Sequence, residues 1–498
     1  MLDWCRNPRV ALIREEGTYP VHAPFHPSTP YPEYPFRPHT SPSGNKVYQG
    51  VREAFWRLGL DEGNYGTPEW NPLGTMILEG DTVLLKPNFI RESHLLRPNE
   101  WEQVITHGSV IRAVLDFVFL ALKGEGRVII ADGPQTDSDF DAICLRSGVV
   151  DVVKFLQKQG LSAELLDLRR DRWFQKGDVI YRRVSLRGDP AGYTTVDLGG
   201  ASEFSNYALS GHFYGADYDT RETASFHTGS HHSYVLCRTA LDADVVINLP
   251  KLKTHKKTGV TLSLKNMVGI NGYRNCLPHH SIGTPAEGGD EFPNNHRLRA
   301  VESRLTAGFK RVLTARGGRA GLWARALKRI GSLTFGDTNR VARSGNWYGN
   351  DTAWRMVLDV NKALFHFDGR GLLRGKRLRS MTIVDGVVGG QGNGPVTPDP
   401  VLCGLIVAGL NPVAVDTVCT AVMGFDYRRV PVVARAWELG KYPLVGFGLE
   451  SIVCVSNVPE WNASLEELER ARHLSFLAHL GWQGRIERGA QQQAASVK

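Results

Sequence analysis

The sequence predicts an α/β fold, a mostly parallel sheet with helices on both faces, extended by a Pro-rich N-terminal arm and a basic helical insert. Three observations carry this. The runs DTVLLKPNF (81–89), RVIIADGP (127–134), DADVVINLPK (242–251) and MTIVDGVV (381–388) have strand length and end in polar residues. They are apolar at successive positions, as strands buried on both faces are. Segments with helical spacing separate the first of them, and strand–helix alternation with short links builds a parallel sheet covered on both sides. The chain has 498 residues, 42% of them hydrophobic, enough for two or three domains or one enlarged domain with insertions, and enough to form a core without cross-links.

In chain order, residues 18–45 are crowded with proline, which forbids helix interiors and central strands. They read as an extended arm whose Tyr and Phe residues pack on a neighbouring domain or subunit. A helix is expected around Val51–Leu58, then the strand at 81–89. SVIRAVLDFVFLALKG (109–124) reads as a helix with Ser109 as N-cap and Gly124 as its stop. DAICLRSGVVDVVKFLQKQG (141–160) reads as one or two helices closed by Gly160. Residues 161–235 alternate, as in DVIYRRVSL, and suggest hairpins. An irregular stretch at 268–296 precedes the basic segment. A helix from about Asp351 to Phe367 follows, capped by Asp351. CGLIVAG (403–409) is a further buried strand. Asn411 and Pro412 start another helix, proline fitting the first helical position. The last 25 residues read as a solvated helix with a frayed end. The expected division is 1–75 extension with arm, 76–296 first core part, 297–345 basic helical insert, 346–470 second core part and 471–498 tail.

The net charge of +8 is local. Between Arg297 and Arg343 twelve Lys or Arg residues face only Glu302 and Asp337, so the rest of the chain is slightly acidic. Any basic partner surface belongs to that segment. Its interleaved Leu305, Phe309, Leu313, Leu322, Trp323, Leu327 and Ile330 fit helices that dock on the domain or lie on an anionic membrane surface. Nucleic-acid binding finds no recognised module. The seven cysteines are scattered without a CxxC pair, as in a cytoplasmic protein with reduced thiols. The opening lacks a signal peptide's apolar stretch, and no apolar run reaches the roughly 20 residues that span a bilayer.

Ligands of open parallel sheets lie beyond the carboxyl ends of the strands. Those ends carry Lys86 and Asn88, Asp132, Lys251 and Asp385. The densest constellation is PKLKTHKKTGVTLSLKN (250–266), with Lys251, Lys253, His255, Lys256, Lys257 and Lys265 directly after a buried strand. Lysines suit carboxylate or phosphate, and mutual repulsion depresses a lysine pKa toward that of a base. An ordinary basic surface loop is the plain alternative, but apolar residues flank the run on both sides. GGQGNGP (389–395) reads as a glycine loop whose Gly392, Asn393 and Gly394 amides cradle an oxyanion or form a plain turn. Neither nucleotide-binding glycine fingerprint is present. His227, His231, His232, His255, His279, His280 and His296 share the middle third without zinc spacing. A divalent metal, if bound, would take Asp132, Asp385 or Asp416. Asp416 either complements its own helix dipole or faces the shared crevice.

ADVVINLPKLKTHKKTGVTLSLKNMVGI resembles the hallmark of the domain of unknown function 362 family, an INxPKxKTH segment running into TxxxKNxxG. VLLKPNF, VIIADGP, DGVVGGQGNGP and NPVAVDTVCTAVMGFD resemble its other blocks in the same order, over about 81–425. The resemblance implies an α/β fold and site positions at Lys86, Asn88, Asp132, Lys251, Lys253, His255, Lys265, Asn266, Asp385 and Asp416. Many members of that family carry a ferredoxin-like iron–sulfur module with CxxCxxCxxxC spacing. This sequence has no such spacing, so no intrinsic cluster is expected.

The expectation is an enzyme acting on a small carboxylate or phosphate metabolite. Lys86, Asn88, Lys251, Lys253, Asn266 and the glycine loop would bind it, while His255, Lys265, Asp132 and Asp385 move protons or orient groups. The cofactor is unknown. The arm would support a homo-oligomer and the insert a peripheral membrane contact. The rivals are a redox enzyme with an external electron donor and a non-enzymatic scaffold.

Overall fold

The computed structural model describes residues 3–176, 179–217, 219–295, 299, 301–305, 308 and 341–489. At its centre is one ten-stranded sheet. Its strands in chain order are β1 (Arg9–Arg14), β2 (Thr82–Pro87), β3 (Arg127–Asp132), β4 (Ala163–Asp167), β5 (Val245–Leu249), β6 (Lys251–His255), β7 (Gly259–Thr261), β8 (Arg379–Asn393), β9 (Thr397–Gly409) and β10 (Val453–Ser456). They lie in the order β10-β1-β9-β8-β5-β2-β3-β4, with β6 paired to β8 and β7 to β6. β4, β3, β2, β5 and β8 are mutually parallel, whereas β9 runs antiparallel to both β8 and β1. Every residue of β5 is buried, so both sheet faces are covered and the strand reads as an unbroken apolar run.

From β2 the chain moves outward through β3 and β4, but β5 returns to the opposite side of β2. Loops leaving strands on either side of such a reversal diverge and leave a crevice at the carboxyl ends. Lys86 of β2 is in register with Asn248 of β5. The crevice therefore opens directly above these two positions.

Among the helices are α1 (Lys46–Arg57), α2 (Gly108–Leu122), α3 (Phe140–Ser147), α4 (Val149–Lys158), α5 (Ser263–Asn266), α6 (Ala353–His366) and α7 (Pro412–Met423). Two caps differ from expectation. At α2 the cap is His107, whose Nδ1 accepts the Ser109 amide at 3.1 Å, and Ser109 lies inside the helix. At α6 the Asn350 carboxamide oxygen accepts the amides of Thr352 and Ala353, while Asp351 pairs with Arg355 at 2.8 Å. Asn411 and Pro412 begin α7 as read from the sequence.

Three larger expectations change. The strand ending at Asp385 in fact runs on to Asn393 and pairs along its length with β9. The glycines at 389–394 are thus largely strand, not an open anion loop. Close packing accounts for them: a Cβ on Gly394 would lie 2.0 Å from the Thr254 carbonyl oxygen. The amide of Gly392 donates to the Leu477 carbonyl and that of Gly394 to the Gly392 carbonyl, so neither is left for a ligand.

Residues 471–489 contain no helix. They cross the body as extended chain and turns, burying Phe476, Ala478, Trp482 and Ile486. Anchors placed singly leave no periodic signal. Residues 18–45 hold neither helix nor strand, and Phe25, Tyr34 and Phe36 are buried against this same chain. The Arg112 guanidinium of α2 donates to the Pro24 carbonyl at 2.9 Å and to the Tyr34 hydroxyl at 3.0 Å. The expected hairpin is formed by Asp171–Lys176 and Val179–Ser185. Most of the insert expected at 297–345, with His296, and residues 490–498 lie outside the described residues. Among the described residues no helix is long and apolar enough to cross a membrane.

Candidate functional site

The crevice between β2 and β5 is a small open pocket of about 50 Å³. Its walls include Lys86 and Asn88 from the end of β2, Asp132 and Gly133 from the end of β3, Lys253 and His255 from β6, and Lys265 and Asn266 from α5. Gly269, Arg274 and Pro395 complete it. Two of these, Lys253 and His255, sit two residues apart on β6 and so point to the same side of the strand.

A chain of hydrogen bonds fixes the floor. The Lys86 ammonium lies 2.8 Å from Asp132 Oδ1 and donates to the Pro87 carbonyl at 2.8 Å. The other carboxylate oxygen of Asp132 accepts the Phe89 amide at 2.7 Å. Lys253 Nζ donates to Asn88 Oδ1 at 3.2 Å and to the Val104 carbonyl at 2.5 Å. Asn88 Nδ2 donates to Asn266 Oδ1 at 3.0 Å, and Asn266 Nδ2 donates in turn to Asn248 Oδ1 at 2.7 Å. Gly269 is needed for its lack of a side chain: a Cβ there would sit 2.0 Å from Asp132 Oδ1 and 2.7 Å from Lys86 Nζ.

Lys86, Lys253, Lys265 and Arg274 line this wall against the single carboxylate of Asp132. Burial lowers the pKa of all four, and mutual repulsion adds to it. Lys253 falls well below the usual lysine value, first by desolvation and then by Lys251 and Lys265. Desolvation, with Arg274 and Lys86 nearby, pushes Lys265 down to about 7. Lys265 is half-buried, and among the described residues its amine makes no hydrogen bond or ion pair. His255 is buried, and its Nδ1 accepts the amides of Lys257 at 3.1 Å and Thr258 at 3.3 Å. Desolvation and the surrounding lysines hold its pKa well below the ordinary imidazole value. The ring is therefore neutral with its proton on Nε2, the nitrogen left for the pocket.

Lys251 and Asp385 do not join this pocket. Register places them opposite one another on β6 and β8, where Lys251 Nζ meets Asp385 Oδ2 at 3.0 Å with both side chains fully buried. The Tyr19 hydroxyl of the arm donates to Asp385 Oδ1 at 2.5 Å and accepts from Lys251 at 2.5 Å. The His107 amide donates to Asp385 Oδ2 at 2.9 Å, and its ring stacks on Tyr19 at 4.0 Å. The expected single rim of two lysines and two aspartates is thus divided into an open cluster and a sealed one.

Asp416 faces neither cluster. From within α7 it accepts the amides of Ser263 at 2.7 Å and Leu264 at 2.9 Å, anchoring the start of α5, which bears Lys265 and Asn266. Burial raises its pKa to about 8, with the two amides opposing the shift. The three aspartates proposed as metal ligands are engaged by Lys86, by Lys251 with Tyr19, and by amides respectively. Among the described residues no group of three His, Cys, Asp or Glu side chains converges. His227, His231 and His232 sit on a separate small sheet, His227 bonding the Cys276 carbonyl at 2.7 Å. His279 bonds the Leu277 carbonyl at 2.9 Å, and burial drives its pKa down to about 3. His280 packs on Tyr214.

Three participants escaped the sequence reading, whereas Gly269 is the last glycine of the TxxxKNxxG motif. Arg274 follows the lysine block in an irregular stretch without period. Tyr19 lies in the proline-rich arm, and His107 is a helix cap.

Residues 199–421 match the family model described as Domain of unknown function (DUF362). This range holds Lys253, His255, Lys265, Asn266 and Arg274, whereas Lys86 and Asp132 lie before it. A thylakoid-associated protein of Synechocystis sp. is 24% identical over 371 residues, covering 74% of this chain and 72% of that protein. A crystal structure from Thermotoga maritima aligns with a TM-score of 0.30 and 11% identity, over 75% of this chain. The chain spans 58% of that structure's length.

Proposed function

Residues 199–421 match a family model whose description assigns no reaction, and we propose from the pocket itself that this protein is an enzyme. Its substrate is a small carboxylate or phosphate metabolite, and its chemistry is acid–base. The observation that supports this is the imbalance of charge: among the described residues four basic side chains line the wall, one carboxylate answers them, and the Lys265 amine has no partner. Buried cations persist when an anion completes them. Lys86, Lys253 and Arg274 hold the anionic group, Asn88 and Asn266 fix the floor, and Lys265 takes the proton. Neutral His255 donates a hydrogen bond from Nε2 to the oxygen that gains charge. Asp132 orients Lys86. The free thiols and the lack of a membrane-crossing helix among the described residues accord with a cytoplasmic enzyme.

The test has two arms. Inorganic phosphate and malonate should raise the melting temperature at low salt and pH 6.5, because a ligand bound only by the folded state stabilises it. The response should shrink in Lys265→Met and in Lys253→Met. Small hydroxy and amino acids incubated with the protein in D2O should exchange the hydrogen beside the carboxylate, and Lys265→Met should abolish this. Equal anion responses in the wild type and both variants would refute the binding site, and absence of exchange would refute the proton transfer.

A further inference from the structure

We propose that Lys265 is a covalent nucleophile toward carbonyl compounds, forming an imine with small 2-oxo carboxylates. This rests on the anion-pocket reading above and deepens it. The lysines of the pocket are not equivalent. Lys86 is held by Asp132 and the Pro87 carbonyl, and Lys253 by Asn88 and the Val104 carbonyl. In both, Nζ is tethered by hydrogen bonds to fixed acceptors, and that of Lys253 is so held although burial depresses its pKa as well. Lys265 alone among the pocket lysines has no such partner among the described residues, yet shares the wall with Arg274, Lys86 and Lys253. An amine kept neutral by neighbouring cations and desolvation is the form that attacks a carbonyl. The lowered pKa of Lys265, at about 7, agrees with this placement.

Its backbone is also fixed. α5 is a short turn whose first amides are clamped by Asp416, and the next residue, Asn266, is tied to Lys86, Asn88 and Asn248. A nucleophile on a rigid element meets its substrate at lower entropic cost. The cations beside it suit the carboxylate of a 2-oxo acid, which places the adjacent carbonyl carbon within the same small pocket.

The step balances without any oxidant or reductant. The Nζ lone pair forms a bond to the carbonyl carbon while the carbonyl electron pair moves to oxygen, which accepts a hydrogen bond from His255 Nε2–H and takes a proton from the attacking nitrogen through solvent. Loss of the hydroxyl as water, with transfer of a nitrogen proton, leaves a carbon–nitrogen double bond. Protonation at nitrogen then makes the group an electron sink for cleavage of a bond on the adjacent carbon.

The full chain is incubated at pH 7.5 with pyruvate or glyoxylate and then treated with sodium borohydride. Intact mass should rise by the probe less one water plus two hydrogens, and peptide mapping should place the label on Lys265. Labelling there should exceed that of any other lysine by more than about tenfold, because surface amines stay protonated at this pH and the depressed amine of Lys253 is tethered to Asn88 and Val104. Lys265→Arg, which keeps the positive charge, should lose the label. Label spread evenly over surface lysines, or none at Lys265 in the wild type, would overturn the covalent role. If malonate still stabilises the protein in that case, the anion pocket stands without the imine. If malonate has no effect either, both readings fall together.

Discussion

Lys86 with Asp132 and Lys251 with Asp385 are the same pairing on neighbouring strands of one sheet, at 2.8 Å and 3.0 Å, but their surroundings are opposite. The second pair is enclosed. Tyr19 bridges its two members, the His107 amide supplies another donor, and an aromatic ring covers it. The first pair forms one side of a pocket where Lys253, Lys265 and Arg274 add positive charge without added carboxylate. A closed set of partners identifies a pair that holds the structure together. An open set, with charge left over, identifies a place built to receive something. The pattern of lysine and aspartate at strand ends is common to both, so chemistry at the strand end alone does not separate scaffold from site.

The contrast is broken most severely at the enclosed pair. Lys251→Met leaves Asp385 as an uncompensated buried charge and should lower unfolding free energy by about 3–5 kcal/mol, read as a fall in the denaturant midpoint. A loss under about 1 kcal/mol, the range of a solvated pair, would show that the cluster is not closed. Asp416→Ala strips the acceptors from two buried amides and opens a small void, and should cost about 2–3 kcal/mol. It should also weaken malonate binding, because α5 loses its anchor. Retention of full malonate affinity would separate α5 from the site.

At the open cluster the effect should move from stability to binding. Lys265→Met should reduce malonate affinity by the worth of a charged hydrogen bond, about 1.5–3 kcal/mol, measured by calorimetry at pH 6.5. The unliganded variant should be no less stable than the wild type. The smallest effect is the pH slope. Malonate favours the protonated amine, so affinity should be level below pH 7 and decline above it by at most about 1.4 kcal/mol per pH unit. Without ligand, the unfolded lysine at its usual 10.5 binds a proton in the window above 7 where the folded amine, at about 7, does not. Folding stability should therefore rise with pH across that window, and this component should vanish in Lys265→Met. A malonate titration indifferent to pH between 6 and 9 would place the responsible amine elsewhere.

Much of this architecture was legible in the sequence. Strands buried on both faces have to be apolar at every position, so β2, β3, β5 and the first part of β8 announced themselves, as did the position of polar residues at their ends. The grouping of Lys86, Asn88, Asp132, Lys253, His255, Lys265 and Asn266 follows from parallel strands sharing one rim. The split that removes Lys251 and Asp385 was not legible, because it depends on Tyr19 and His107, which arrive from segments with no periodic pattern. The run of glycines at 389–394 illustrates a second limit: open loops and closely packed strands both favour residues without a side chain, and only the pairing with β9 decides between them. Arg274 was missed because an isolated arginine in irregular chain carries no spacing at all.

The indole of Trp482 donates to the carbonyl of Lys256 at 2.8 Å across 226 positions, at the turn that follows the pocket's own β-strand. During synthesis, a nascent chain that has delivered every lysine of the cluster still lacks the ring that seats against this turn. Productive assembly must then wait on distant chain, with apolar sheet edges uncovered meanwhile. A protein built this way should refold slowly and lean on chaperones, and splitting it between its two core parts should yield fragments that assemble only when mixed.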